Sequence, residues 1–83
     1  MEIITLETAL SKFIIENLVA EGINIMADTD LGALGLDSFS LIEIVLFLER
    51  KFDIELPDEL LVSENVGSVR AIAKCSHDFV HNK

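Results

Sequence analysis

The sequence predicts an all-α domain: a small bundle of three main helices and one short helix, with a long loop between the first and second helices. Three observations carry that expectation. Apolar residues recur at helical three-to-four-residue spacing in three stretches, near residues 3–19, 38–52 and 69–80. No stretch sustains the apolar–polar alternation of a half-buried strand. The connections after the second stretch are short, as in a helical bundle. At 83 residues the chain reads as one domain, residues 1–83. A chain of this size buries only about 60–65% of its unfolded surface, so its core is small.

In the first stretch, Ile3, Leu6, Leu10, Phe13, Ile14 and Leu18 fall on one stripe, with Glu7, Lys12 and Glu16 off it. Asn17 interrupts the stripe near its end, and Gly22 is a stop signal. Residues 22–36 then lose the helical period. Ile23, Ile25, Leu31, Leu34 and Leu36 are scattered among Asp28, Asp30, Gly32 and Gly35, which reads as a long loop pinned by apolar anchors. Asp28-x-Asp30-x-Gly32 has the look of half a calcium loop. Counted from Asp28, however, the required glycine position holds Ala33 and the required bidentate glutamate position holds Phe39. The stretch is therefore not an EF-hand, which leaves only weak divalent-ion binding by its clustered carboxylates as an alternative.

In the second stretch, Asp37 stands where an N-cap belongs and Ser38 opens the first turn. Leu41, Ile44, Val45, Leu48 and Phe52 are the expected core-facing positions. The other side carries Ser40, Glu43, Arg50 and Lys51, but also Phe39, Leu46 and Phe47. So many large apolar residues outside a buried stripe mark a docking surface, or a helix buried on more than one side. Pro57 holds Leu56 extended beyond the helix. A short helical turn is expected at residues 58–62, with Leu60 or Leu61 packing inward. Ser68 is expected to cap a last helix, residues 69–80, whose inner stripe is Val69, Ile72, Ala73, Ser76, Phe79 and Val80. The tail His81-Asn82-Lys83 is expected to fray.

Composition narrows the function. Fifteen acidic residues stand against six basic ones, a net charge of −9, which repels nucleic acid and anionic membranes and attracts basic protein surfaces. No apolar run approaches the roughly 20 residues needed to span a membrane. No secretory leader is recognisable, and the single cysteine, Cys75, forms no intrachain disulfide, so a cytoplasmic protein is expected; a monomer is also expected. His77 and His81 are spaced i, i+4 but lie off the apolar stripe without a third ligand, and read as solvent-exposed histidines. Ser38 lacks the Gly-x-Ser-x-Gly setting of a hydrolase nucleophile.

What remains is Asp37-Ser38 itself. A serine in a first turn lies at the positive end of the helix dipole, where a phosphate is favoured. Read alone, the pair is either a cap and nothing more, or a serine poised to carry a phosphate group. The surrounding pattern is more specific. Asp37-Ser38 is followed by Glu43, then Leu48-Glu49 and Phe52-x-Ile54-x-Leu56-Pro57-Asp58-Glu59. Over nearly its whole length the chain resembles the acyl carrier proteins.

The resemblance implies that Ser38 is esterified by 4′-phosphopantetheine, whose thiol carries acyl groups as thioesters, and that Asp37 helps position metal-bound coenzyme A during attachment. It implies a carrier without catalytic activity of its own. The partners it implies are a phosphopantetheinyl transferase, an acyl-loading ligase or transferase, and ketosynthases or other acyl-processing enzymes. Phe39, Ile42, Glu43, Leu46 and Phe47 are assigned to the partner-binding face. Phe39 stands in place of the family's usual Leu, and Ser40 in place of its Asp or Glu; both departures bear on partner choice. A peptidyl carrier would place Gly-Gly-[His/Asp] before the serine, where this chain has Gly35-Leu36-Asp37. A D-alanyl carrier also fits these residues, as does an unmodified helical interaction module that uses only the apolar strip. A fatty acid, polyketide or related pathway is expected, and a specialised one.

Overall fold

The computed structural model describes residues 2–81; Asn82 and Lys83, two of the three tail residues expected to fray, lie outside the described residues. Four α-helices follow one another: α1 (Ile3–Asn17), α2 (Ser38–Phe52), α3 (Ser63–Val66) and α4 (Val69–His81). Single 3₁₀ turns occupy Gly32–Leu34 and Asp58–Leu60. No strand occurs among the described residues.

The amphipathic stripes explain the packing. Leu6, Leu10 and Ile14 of α1, Ile44 and Leu48 of α2, and Val69, Ile72 and Ala73 of α4 meet in one core, closed by Leu31, Ile54 and Leu56 from the connections. α1 packs against both α2 and α4, and α3 packs against α4. Helix α1 ends at Asn17, whose side-chain amide donates to the Phe13 carbonyl at 2.9 Å and occupies an acceptor of the last turn. Helix α2 stops at Asp53, in the left-handed region at φ 57°, where its N–H reaches back to Glu49 and Leu48. As expected, the Ser68 hydroxyl accepts from the Ala71 N–H at 3.1 Å and opens α4.

The structure refines the short element. The stretch at residues 58–62 forms only the 3₁₀ turn, and the short α-helix lies just after it, at Ser63–Val66. Both Leu60 and Leu61 pack on the core. Asn65 explains the shift: its side-chain amide donates to the Leu60 carbonyl at 2.9 Å and ties the two turns together.

The long loop is held by two backbone bonds. Leu31 N–H donates to Gly67 at 2.9 Å, and Arg70 N–H donates to Ala27 at 2.7 Å. The Arg70 guanidinium also lies between Glu7 and Asp28, at 3.8 and 3.9 Å. Pairs this long, made by an exposed guanidinium, add little stability, so the backbone bonds and the buried Leu31 anchor the loop. Its last segment, carried by α4, then delivers the chain to the start of α2.

Candidate functional site

The start of α2 is built by its own short-range chemistry. Asp30 Oδ1 accepts from the Gly32 N–H at 2.9 Å and begins the 3₁₀ turn. Gly35 ends that turn at φ 83°, a backbone that side chains with Cβ resist. Leu34 and Leu36, on either side, pack into the core. The chain therefore enters α2 along a defined path. Asp37, extended at φ −105°, turns its Oδ1 onto the N–H groups of Phe39 and Ser40, each at 3.1 Å. The Leu41 N–H goes to the Asp37 carbonyl at 3.0 Å. Of the first-turn donors, the Ser38 N–H alone has no partner among the described residues. Ser38 is exposed. An anion esterified to its hydroxyl would meet an unclaimed amide at the positive end of the helix.

Because Asp37 satisfies two otherwise orphaned donors, Asp37→Ala is expected to lower stability by about 1 kcal/mol. Thermal or urea unfolding checks this; an unchanged midpoint would mean that water serves the first turn equally well.

Beside Ser38 a cleft of about 430 Å³ runs between the loop, α2 and α3. Its wall is mostly apolar, from Leu31, Leu36, Leu41, Ile44 and Val66, with Asp30, Asp37 and Ser63 among its polar lining. This cleft was not legible in the sequence, because it exists only where the pinned loop returns to α2.

The residues expected on the docking face divide. Phe39 is 72% exposed and Ile42 57% exposed. Leu46 is half-buried and continues their stripe at i, i+3, i+7, with half-buried Glu43 alongside. Phe47 does not join them. It packs against the core and stacks on Phe13 with ring centroids 4.4 Å apart, and its other neighbour is Phe52 at 6.2 Å. The reason is geometric: adjacent helical residues point about 100° apart, so Leu46 and Phe47 cannot share one face.

Two other expectations change. His77 is only partly exposed, its Nδ1 is buried without a hydrogen-bond partner, and its ring lies 4.2 Å from that of His81. His81 is exposed, as expected. Cys75, which its place beside the inner stripe of α4 marks as a buried structural thiol, is instead half-buried; burial raises its thiol pKa, Asp78 raises it further, and Lys74 opposes them. Among the described residues, no group of three or more potential ligands is arranged to hold a metal ion, and no helix is long and apolar enough to cross a membrane.

The chain is a four-helix domain whose central helix opens on an exposed serine, and comparison with known proteins gives its family. The family pattern described as a phosphopantetheine attachment site matches residues 10–76, and the chain belongs to that family of phosphopantetheine-dependent carrier proteins. It is 38% identical over 69 residues to an aminoacyl carrier protein of Agrobacterium fabrum, covering 82% of this chain and 80% of that protein. It is 34% identical over 79 residues to an acyl carrier protein of Buchnera aphidicola, covering 94% and 91%. Its fold matches a chain in the crystal structure of Bradyrhizobium japonicum glycine:[carrier protein] ligase complexed with glycylated carrier protein. The TM-score there is 0.67 at 21% identity, over 86% of this chain and 93% of that one. The protein is thus a carrier bearing a 4′-phosphopantetheine arm on a serine.

Proposed function

We propose that Ser38 carries the arm and that the arm carries aminoacyl groups as thioesters. The single observation behind the first part is the exposed Ser38 hydroxyl beside an unclaimed first-turn amide. The second part draws on the name of the Agrobacterium fabrum relative and on the charge of α2. Residues 38–52 contain Glu43 and Glu49 against Arg50 and Lys51, a formal charge of zero in a chain of −9. A neutral central helix gives a basic partner patch little to read at close range. Phe39, Ile42 and Leu46 then carry the docking, because desolvated apolar anchors outweigh rim charges. Glu43 supplies the one carboxylate alongside them.

The carrier catalyses nothing itself in this reading. Coenzyme A donates the arm through a separate phosphopantetheinyl transferase, with Asp37 beside the metal-bound coenzyme, and an ATP-dependent ligase then loads the cargo. Covalent tethering keeps the thioester at high effective concentration for each partner, so docking need only be weak and fast. The cytoplasm, where transferase and coenzyme A meet, is the proposed compartment, and the protein acts as a monomer.

The Buchnera aphidicola relative favours a second reading, in which fatty or polyketide acyl groups travel to a ketosynthase and related enzymes. One experiment separates the two. The holo-protein is incubated with ATP, Mg²⁺, glycine and a glycine:[carrier protein] ligase, and separately with an acyl-carrier synthetase and a fatty acid. The aminoacyl reading expects a mass gain of one glycyl group that hydroxylamine removes. Fatty acyl loading with no aminoacyl loading would overturn it.

A further inference from the structure

The cations of this acidic chain are unevenly used. Arg70 faces Glu7 and Asp28, and Lys74 holds Asp78 at 3.2 Å. Lys12, Arg50 and Lys51 form no ion pair among the described residues, although the chain has 15 carboxylate side chains. Two of the three, Lys12 and Lys51, border one groove along the seam of α1 and α2. One end, with Ile4, Ala9 and Phe52 beside Thr5 and Thr8, is mostly apolar; the other, with Phe13 and Phe47 beside Glu16 and Asn17, is about equally polar and apolar. Ile4 is 62% exposed, and the Lys51 ammonium lies 5.9 Å from the Phe52 ring centre. Glu16 is the one carboxylate among the residues lining it.

We propose that this groove is a second docking site, for an acidic amphipathic segment of a partner protein. The segment's apolar side chains would cover Ile4, Ala9 and Phe52 and reach Phe13 and Phe47, and its carboxylates would meet Lys12 and Lys51. Charge complementarity selects that occupant. A basic segment would face two unpaired ammonium groups here, while acidic surface elsewhere on the chain attracts it. A second copy of this chain brings its own −9 charge, which opposes association. The same net charge also opposes an acidic partner at long range. That repulsion is screened beyond about 10 Å at 0.1 M salt, leaving the local contacts to decide. Lys51 lies near the opposite end of α2 from Ser38, about 20 Å along the helix axis. A partner held there leaves Phe39, Ile42 and the arm free, so the carrier could be retained by one protein while another works on its cargo. The groove acts in this way whatever the cargo is.

The test uses full-length holo-protein and a synthetic amphipathic helical peptide with a Leu/Phe stripe bordered by glutamates. A second peptide has glutamine in place of each glutamate. NMR titration is expected to shift residues around Ala9, Phe13, Phe47 and Lys51. The glutamine peptide should bind at least tenfold more weakly, and the double variant K12E/K51E should weaken the glutamate peptide by a similar factor. The variant should keep its melting profile and its phosphopantetheine loading, which separates this test from that of Ser38. No binding, equal binding of the two peptides, shifts confined to Phe39 and Ile42, or an unaffected double variant would each overturn the proposal. So would peptide-free self-association that K12E/K51E abolishes, which would make a second copy the occupant.

Discussion

Ser38→Ala is expected to fold normally and to accept no phosphopantetheine. On the proposed assignment, attachment forms one bond, from Ser38 Oγ to the phosphorus of coenzyme A that bears the pantetheine. It breaks the bridging P–O bond, releasing adenosine 3′,5′-bisphosphate while the hydroxyl proton passes to a base. Alanine removes the only atom that can make that bond. The substitution should cost little stability, since no hydrogen bond of the Ser38 side chain exists among the described residues and alanine favours a helix. The other serines are poorly placed to substitute. Ser76 is buried and donates to the Ile72 carbonyl at 2.8 Å. Ser68 is engaged as the cap of α4, and Ser40 and Ser11 are half-buried within helices. Ser63 is exposed but follows Val62, with no carboxylate before it, and opens a helix of only four residues. Intact mass after incubation with coenzyme A, Mg²⁺ and a transferase should rise by one phosphopantetheine in the wild type and not at all in Ser38→Ala. Modification that persists in the variant would place the arm elsewhere.

The features legible in the sequence are those written locally. The N-cap Asp37, the cap Ser68 and the spacing of Leu6, Leu10 and Ile14 each need only a few neighbouring residues to be read. The exposed stripe of Phe39 and Ile42 is legible for the same reason. Phe47 is different. On a helical wheel it falls at the edge of the core face, and its placement depends on Phe13 arriving from α1 to stack on it. Nothing within α2 announces that contact. The tethered loop is harder still. Its fixing bonds join the backbones of Leu31 and Gly67 and of Arg70 and Ala27, atoms that every residue but proline possesses in full. Side-chain pattern carries no record of them, so the cleft they create beside Ser38 emerges only from the tertiary structure. Helix α3 escaped for want of length, because four residues cannot display a period.

Leu48→Ala should produce the largest loss of stability along α2. Leu48 is 0% exposed, in the core cluster that also contains Ile44, Leu10 and Ile72. Removing its branched end forfeits the transfer energy of the missing carbons and leaves a cavity that rigid neighbours fill only in part, at a cost of about 2–5 kcal/mol. At about 0.05–0.15 kcal/mol per residue, a chain of this length holds roughly 4–12 kcal/mol in all. The variant therefore unfolds most of the population if the wild type lies at the lower end of that range. Urea denaturation followed by circular dichroism should show the midpoint falling while the slope is unchanged, since the same surface is exposed on unfolding. Ile42→Ala provides the contrast on the same helix. With 57% of Ile42 already exposed, its truncation should stay within about 0.5 kcal/mol of the wild type. The six-residue step from Ile42 to Leu48 turns the side chain through about 600°, which carries it from the outer stripe to the core. A loss below about 0.5 kcal/mol for Leu48→Ala, or one for Ile42→Ala that equals it, would mean that α2 presents a different face to α1 and α4.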